Sequence, residues 1–309
     1  MNNKLSQHID TYIKQKQYRL INSILLFKDG QPIVEKYYNK FTKNSRNNIK
    51  SIWKSILSVC TGICLDKGYI KSIDEPVANY LSEFAADNHP YHKLITIRHL
   101  LNMSSGIYWN GGIHYHCPML EQLWRSDNCL EHLADIAMAN VPGAKFVYKE
   151  WDVILLSAVI SKAAKMDTYE FCKTYLYEPL GITSDEWAKL PGGINYNIDR
   201  DFAIEAHSDL SANDLAKLGF LLLNKGNDIL SESYINAAVQ PSPNAQEYGS
   251  LFWLFEGGFA CRGYGGQGIN VVPGKNIVYV IQATPTSSSK SYEDVFRLCM
   301  DYLDKGSIM

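Results

Sequence analysis

The sequence carries no strong excess of charge of either sign. Its 309 residues include 30 Lys and Arg against 32 Asp and Glu, which gives a formal net charge of −2 at pH 7. No basic block or stripe interrupts this balance. Because nucleic-acid-binding proteins concentrate basic side chains on one surface, we do not expect a nucleic-acid partner.

The chain also lacks a long apolar run near its start. Residues 1–20 are polar, and they contain no pattern typical of a signal peptide, a lipid-anchored cysteine or a transmembrane span. If Met1 is the native start, these absences predict a cytoplasmic protein without a membrane partner.

Paired cysteine spacings are missing as well. The seven cysteines are an odd number, and Cys60 and Cys64 lie four residues apart on one predicted helix face, as core thiols do. A reducing compartment fits this distribution better than a disulfide framework does.

The hydrophobic pattern places strands at both ends of the chain and helices in the middle. An Asp-Gly turn joins the first two strands as a hairpin. Strands are predicted at 22–27, 32–38, 249–256, 267–273 and 276–284. Helices are predicted at 4–17, 51–67, 151–164, 211–223 and 292–303. Because the strands run together and do not alternate with helices, the pattern predicts an α+β fold with an antiparallel sheet.

A sheet that joins both ends of the chain requires the middle to be an insertion. We therefore predict a sheet domain of residues 1–73 plus 200–309, and a mainly helical domain of residues 74–199. No internal repeat is present, and the sequence leaves the oligomeric state open.

Ser51-Ile52-Trp53-Lys54 is the most informative stretch of the sequence. Positions i and i+3 of a helix share a face, so Ser51 and Lys54 are placed side by side at the start of an apolar helix. A desolvated lysine loses its proton more easily and can then activate a neighbouring hydroxyl. The alternative is structural, with Ser51 as a helix N-cap and Lys54 as an exposed first-turn residue.

A second Ser-x-x-Lys stretch, Ser287 to Lys290, gives the motif a comparison within the chain. It lies in a Thr-Pro-Thr-Ser-Ser-Ser-Lys-Ser run, which is typical of a polar loop. We therefore assign the chemistry to Ser51 and not to Ser287.

Three further segments accompany the Ser51 motif in a fixed order. They are residues 95–106 (ITIRHLLNMSSG), residues 142–148 (PGAKFVY) with 177–182 (YEPLGI), and residues 262–267 (RGYGGQ). Together with Ser51-x-x-Lys54, they resemble the serine β-lactamase and penicillin-binding-protein superfamily. The nearest resemblance is to its class C-like branch of esterases, D-aminopeptidases and 6-aminohexanoate-dimer hydrolases, and it covers nearly the whole chain.

The resemblance implies a β-lactamase/DD-peptidase-like fold with the active site in the cleft between two domains. It makes Ser51 the nucleophile of an acyl-enzyme, and Lys54 either the adjacent base or the group that keeps the base deprotonated. Tyr148 matches the tyrosine of the family's Tyr-x-Asn motif and would carry the proton to the leaving group. Which of Lys54 and Tyr148 is the base stays open, because the two are expected to titrate as a pair. No cofactor and no metal are implied.

The resemblance also assigns the strand that faces the serine. By position, Cys261-Arg262-Gly263 aligns with the family's Lys-Thr-Gly or His-x-Gly triplet. The backbone N–H of Tyr264 would then form an oxyanion hole with the N–H of Ser51, and one such donor is worth about 10²–10³ in rate.

Two positions depart from the family pattern. Glu150 stands where the family has Asn or Ser, and a carboxylate there either pairs with Lys54 and raises its pKa, binds a cationic substrate, or is a solvent-facing cap. Cys261 replaces the usual Lys or His, so the cation that receives a substrate carboxylate is missing unless Arg262 supplies it. Both changes argue against a standard β-lactamase or DD-peptidase.

Five of the eight histidines lie between positions 89 and 116. The stretch His114-Tyr115-His116-Cys117 matches no zinc-site spacing, so we predict no metal site. Trp109 belongs to the same aromatic loop, which borders the cleft in the resembled family. We therefore expect an aromatic substrate wall, with ordinary core packing as the alternative.

These observations predict a serine hydrolase that cleaves a small-molecule amide or ester without a cofactor. The first alternative is a non-catalytic or weakly active ligand-binding protein of the same fold. The second is a β-lactamase or D,D-carboxypeptidase, which a cytoplasmic location disfavours because cell-wall crosslinks lie outside the cytoplasm.

Overall fold

The computed structural model describes residues 2–86, 89–112, 117–197, 208–286 and 290–306. The α-helices of these ranges are α1 Asn3–Lys16, α2 Ile52–Asp66, α3 Ile97–Leu101, α4 Pro118–Arg125, α5 Cys129–Ala134, α6 Glu150–Ala164, α7 Thr168–Cys172, α8 Ala212–Leu223, α9 Glu232–Ala238 and α10 Glu293–Gly306. The strands are β1 Ile21–Lys28, β2 Gln31–Tyr37, β3 Arg46–Asn48, β4 Ala188–Lys189, β5 Asn195–Tyr196, β6 Asp209–Ser211, β7 Trp253–Phe255, β8 Gly258–Gly263, β9 Gln267–Val272 and β10 Ile277–Ala283.

The main sheet has six strands in the order β2-β1-β10-β9-β8-β7. The hairpin β1–β2 turns at Asp29 and Gly30, whose φ angles of 51° and 72° are those of a type I′ turn. β1 also pairs antiparallel with β10, so strands from the two ends of the chain share one sheet. The predicted α+β fold with an antiparallel sheet is confirmed.

One compact unit comprises Met1–Ile52, Asp209–Asn224 and Phe255–Met309. Its sheet is covered on one face by α1 and α10, whose apolar side chains form a core with Tyr279 and Ile281 of β10. α8 covers the other face. It approaches closely because a Cβ at Gly219 would lie 2.5 Å from a methyl group of Val278.

The other compact unit comprises Trp53–Ser208 and Lys225–Leu254. Its central element is α6, in which every residue from Trp151 to Ile160 is buried. A helix that is apolar on all sides belongs in the interior of a helical layer. α6 also places its N-terminal residues among other buried groups.

The sequence prediction differs from the structure in the last strands of the chain. The hydrophobic pattern predicts one strand over 249–256, whereas β7 covers Trp253–Phe255, and it does not indicate β8 at Gly258–Gly263, where only the family resemblance places a strand. Gly249-Ser250 precedes β7 as a bend that hydrogen-bonds to Ala238 and Phe252. The glycines and the polar Arg262 interrupt the alternation of apolar and polar residues by which a strand such as β8 is recognised in a sequence.

The predicted domain boundaries stay a prediction. The compact units group residues 53–73 and 225–254 with the helical part of the chain, whereas the prediction put both segments with the sheet. No helix among the described residues is long and apolar enough to cross a membrane.

Candidate active site

Ser51 directly precedes the first helical residue of α2. The serine is half-buried, and the preceding Lys50 has a left-handed φ of 50°. The backbone N–H of Lys50 donates to the side-chain oxygen of Asn48 at 2.8 Å, which stabilises this turn. Ser51 thus stands at the positive end of the α2 dipole, where negative charge on its oxygen is favoured.

Lys54 lies in the first turn of α2 and is buried. Only 2% of its side chain is exposed, so the interpretation as an exposed first-turn residue is wrong. Its Nζ donates to both carboxylate oxygens of Glu150, each at 2.8 Å. Lys54 is therefore both desolvated and ion-paired.

Tyr148 packs against the same ammonium group. The Lys54 Nζ lies 5.2 Å from the centroid of the Tyr148 ring. On its other sides the ring contacts Tyr248 and Trp253, with centroid distances of 6.3 and 5.8 Å. The structure therefore brings Lys54, Tyr148 and Glu150 together, as the sequence motifs require.

Glu150 is the first residue of α6 and is largely buried. Its side chain is 14% exposed, so it is not a solvent-facing cap. Besides Lys54, it accepts a hydrogen bond from the Tyr196 hydroxyl to Oε2 at 3.0 Å. Tyr196 is fully buried and packs edge-on against Trp53. No sequence motif marks Tyr196, which is one of twenty tyrosines.

The environment of Lys54 favours its charged form. Burial on its own lowers the pKa of Lys54, but the Glu150 carboxylate and the Tyr148 side chain outweigh that effect, so the pKa is raised. Burial, reinforced by the Glu150 charge, raises the pKa of Tyr196 well above that of a free phenol. Lys54 is consequently an ammonium at neutral pH, which weakens it as a base.

The end of β8 runs beside the chain segment that leads to Ser51. A Cβ at Gly263 would collide with the backbone carbonyl of Ile49 and would come within 2.9 Å of the Gln267 side chain. Only glycine allows this approach. The next residue, Tyr264, anchors its hydroxyl to the carbonyl of Thr286 at 2.6 Å.

Cys261 and Arg262 have opposite surroundings on β8. Cys261 is 2% exposed and lies in the sheet core. Arg262 pairs with Gly268 of β9 in the sheet, and its guanidinium forms a 2.6 Å ion pair with Glu293 at the start of α10. Because Glu293 balances the Arg262 charge, this contact speaks against Arg262 as the receptor for a substrate carboxylate.

Trp109 is half-buried and packs edge-on against Trp151 of α6, with 4.7 Å between the ring centroids. His114, Tyr115 and His116 of the same loop lie outside the described residues. So do Ser287 to Ser289 of the second Ser-x-x-Lys stretch.

A buried polar cluster that no sequence motif indicated is formed by Ser105, Lys149 and Asp152, next to Tyr148 and Glu150 along the chain. The Lys149 Nζ donates to Ser105 Oγ and to the Ile107 carbonyl, both at 3.1 Å. It lies 3.8 Å from Asp152, and the Ser105 hydroxyl donates to Asp152 at 2.5 Å. The i, i+3 spacing of Lys149 and Asp152 at a helix start was the available signal.

Comparison with known proteins places this geometry in context. The family model described as Beta-lactamase matches residues 7–298. Comparison with curated protein sequences returned no match.

Three solved structures illustrate the similarity of the fold. The penicillin binding protein from Bacillus halodurans is 19% identical, with a TM-score of 0.73 over 98% of this chain and 100% of that chain. The octameric penicillin-binding protein homologue from Pyrococcus abyssi is 20% identical, with a TM-score of 0.72 over 96% of this chain and 76% of that chain. EstCE1, a hydrolase with promiscuous acyltransferase activity, is 15% identical, with a TM-score of 0.70 over 94% of this chain and 96% of that chain.

Proposed function

Because the chain belongs to the Beta-lactamase family, we propose that it is a serine hydrolase that cleaves a small amide or ester through an acyl-Ser51 intermediate. The observation that carries the proposal is the desolvated Lys54 ammonium, which lies against the Tyr148 ring in the first turn of the helix that follows Ser51. Lysine side chains are almost never fully buried unless they are paired, so the burial of Lys54 sets it apart from the ordinary lysines of a structural helix.

In the proposed reaction, Ser51 Oγ forms a bond to the substrate carbonyl carbon and gives its proton to the Tyr148 phenolate or to neutral Lys54. The developing oxyanion is received by the backbone N–H groups of Ser51 and Tyr264. When the bond to the leaving group breaks, the amine or alcohol takes up that proton. Water then adds to the acyl carbon, gives a proton to the same base, and releases Ser51 with its proton restored.

Glu150 gives this reaction a defined pH dependence. If neutral Lys54 is the base, the raised pKa of Lys54 delays its deprotonation. If the Tyr148 phenolate is the base, the negative charge of Glu150 opposes its formation. Both routes have the same sign, so we propose that the activity rises with pH into the alkaline range.

A ligand-binding protein without turnover is the second candidate. It is favoured by the two 2.8 Å contacts from Lys54 to Glu150, which oppose the deprotonation that the chemistry needs. In that case the Ser51 region recognises a small molecule and forms no covalent bond.

A β-lactamase or D,D-carboxypeptidase is the third candidate. Arg262 is paired with Glu293 and Cys261 is buried, so the described contacts of this triplet offer little to a substrate carboxylate. A D,D-carboxypeptidase is expected to form a stable covalent adduct with a penicillin, and a β-lactamase is expected to hydrolyse the penicillin. Intact-protein mass spectrometry and a penicillin hydrolysis assay together detect this candidate, and it is excluded if both are negative.

The proposed enzyme requires no cofactor. We keep the small-molecule substrate and the cytoplasmic location as part of the proposal.

Covalent labelling tests the proposed function. A fluorophosphonate probe is expected to add one equivalent to the wild-type protein, with the mass increment on Ser51, and to leave Ser51→Ala unlabelled. Lys290→Ala, in the second Ser-x-x-Lys stretch, serves as a control and is expected to label like the wild type. Absence of labelling between pH 6 and about pH 10, where lysines and tyrosines begin to deprotonate, favours the ligand-binding candidate instead.

A further inference from the structure

The cluster of Ser105, Lys149 and Asp152 resembles a nucleophile with a base and an orienting acid, but it has no access to substrate. The exposed fractions of these side chains are 0% for Ser105, 1% for Lys149 and 0% for Asp152. A serine that no substrate reaches performs no acyl chemistry. The cluster therefore needs another explanation.

Its position suggests one. Lys149 lies between Tyr148 and Glu150, and its backbone is extended, with φ −152° and ψ 161°. In an extended segment, consecutive side chains point to opposite sides. Anchoring the Lys149 side chain on one side thus fixes the directions in which Tyr148 and Glu150 leave the backbone.

The anchor is the loop that follows α3. Lys149 holds Ser105 and the Ile107 carbonyl, and the Ser105 N–H donates to Asp152 at 3.2 Å. Two more bonds reinforce it: the Val147 N–H donates to the Met103 carbonyl at 2.8 Å, and the Trp151 indole donates to the Tyr108 carbonyl at 3.0 Å. Residues 147, 149, 151 and 152 are thus each hydrogen-bonded to residues 103–108.

We propose that the buried Ser105–Lys149–Asp152 cluster is a positioning device that holds Glu150 in its bidentate pair with Lys54 and keeps Tyr148 against the same ammonium group. The proposal deepens the proposed function, on which its catalytic consequence rests. Its structural part, the state of Lys54, stands without it.

The geometry of the Lys54–Glu150 pair explains how the cluster affects the charge state of Lys54. Both Glu150 oxygens lie 2.8 Å from the Lys54 Nζ, so a displacement of α6's first residue by about 1 Å lengthens two charge-assisted hydrogen bonds at once. Among the residues that the structure describes, the charged or titratable groups that face this pair are Tyr148, Tyr196 and, facing Glu150, Cys117. Tyr196 is buried and donates to Glu150, so without the pair to Lys54 the carboxylate keeps a single neutral donor among these groups.

The first test reads the state of Lys54 without using activity. With ¹³C-labelled lysine, and with Lys54→Arg to assign the signal, the wild-type Lys54 Cε resonance is expected to show no titration between pH 6 and pH 10. In Ser105→Ala, which keeps both buried charges, and in Lys149→Met/Asp152→Asn, which removes both, the resonance is expected to titrate within that window. Glu150→Gln, which removes the partner of Lys54 outright, sets the scale.

A matched control separates positioning from a general loss of packing. Ser157 is buried in the same helix, about two turns after Glu150, and donates to the Asn195 carbonyl at 2.8 Å. Ser157→Ala removes one buried hydrogen bond of α6 and is expected to leave Lys54 untitrated. A Lys54 signal that stays flat in folded Ser105→Ala and moves only in Glu150→Gln overturns the proposal.

The second readout is the rate of Ser51 labelling by the fluorophosphonate. The cluster variants are expected to show a labelling curve shifted to lower pH, and at their best pH a rate at least tenfold below that of Ser157→Ala, because Tyr148 is no longer held. If the wild type is not labelled at all, the proposed function fails while the Lys54 titration still decides on the positioning device. If Ser51 is labelled and every cluster variant follows the wild-type curve, the positioning device fails alone.

Discussion

Two lysine–carboxylate pairs lie at the N-terminal end of α6, and they differ in solvent exposure. We call Lys54–Glu150 the partly open pair and Lys149–Asp152 the sealed pair. Lys54 and Glu150 form a bidentate pair at 2.8 Å, and Glu150 retains 14% of its side-chain exposure. Lys149 and Asp152 are 3.8 Å apart with exposures of 1% and 0%, and Ser105 bridges them.

The difference indicates how one helix end serves two purposes. The sealed pair has its polar atoms satisfied by Ser105 and Ile107, which is the condition under which buried charges are tolerated. The partly open pair adjoins the Tyr148 ring and the first turn of α2. The fully buried pair, Lys149–Asp152, thus serves stability, and the partly exposed pair, Lys54–Glu150, is suited to chemistry, although Lys149 and Glu150 are neighbours in the chain.

The largest expected effect is on activity, which we expect to depend on the Lys54–Glu150 pair. Lys54→Met removes the proposed base or its cation, and we expect labelling of Ser51 to fall by about 10²–10⁴-fold. The measurement is the second-order rate constant for the fluorophosphonate at the optimal pH. A rate within threefold of the wild type would show that Lys54 has no part in the mechanism, and the two pairs would then not differ in function.

Lys149→Met tests the same comparison by stability. It leaves Asp152 as a buried charge without its partner, so we expect the free energy of unfolding to fall by about 3–5 kcal/mol in urea titrations. The double variant Lys149→Met/Asp152→Asn removes both charges and is expected to recover most of this loss. Equal stability of the single variant and the wild type would show that the sealed pair is not needed for stability.

The pH dependence of that loss follows from Asp152. Burial raises the pKa of its carboxyl even beside Lys149, and removing the lysine raises it further. A carboxyl whose folded pKa exceeds its unfolded pKa binds protons more tightly when folded, so the penalty is full above the folded pKa and shrinks as the pH falls through it. The Lys149→Met defect is therefore expected to be smaller at pH 5 than at pH 8, and a defect that grows on acidification contradicts this assignment.

Much of the fold was accessible from the sequence because its signals are local. The Asp-Gly turn of the first hairpin forms as predicted, and the helix predicted over 211–223 begins with a capping box between Ser211 and Asp214. The hydrophobic pattern did not indicate β8, because this strand runs through Gly258 and Gly263, where close backbone approach replaces side-chain alternation. Only the family resemblance places a strand there.

The motif residues of the site could be predicted from the sequence, but the long-range hydrogen bonds that connect them to the rest of the fold could not. Ser51, Lys54, Tyr148 and Glu150 stand out by residue type and order. Tyr196 contacts Glu150 from 46 residues away, and Ser105 contacts Lys149 from 44 residues away. Neither pairing leaves a trace in one sequence, because long-range contacts depend on the packing of whole elements.

The smallest expected effect refines the partly open pair. Tyr196→Phe removes one of the three hydrogen bonds that the structure shows on Glu150, and the fully buried ring keeps its packing. We expect a loss of about 1.5–3 kcal/mol, the usual range for a hydrogen bond to a charged group. Tyr234→Phe is the control, since it loses a hydroxyl whose partners are uncharged: it donates to the Ser58 backbone carbonyl at 2.8 Å and lies 3.1 Å from the Ser58 hydroxyl. If the two variants lose the same free energy, the charge of Glu150 adds nothing to its hydrogen bond.

The central claim is that Glu150 keeps Lys54 protonated and so delays the activation of Ser51 to high pH. The most direct test is the rate of Ser51 labelling as a function of pH in the wild type and in Glu150→Gln, with Glu232→Gln as a control for loss of an exposed carboxylate. The account predicts that the rising limb of Glu150→Gln lies at lower pH than that of the wild type, while Glu232→Gln follows the wild type. A Glu150→Gln limb that coincides with the wild-type curve, or lies at higher pH, would contradict the claim.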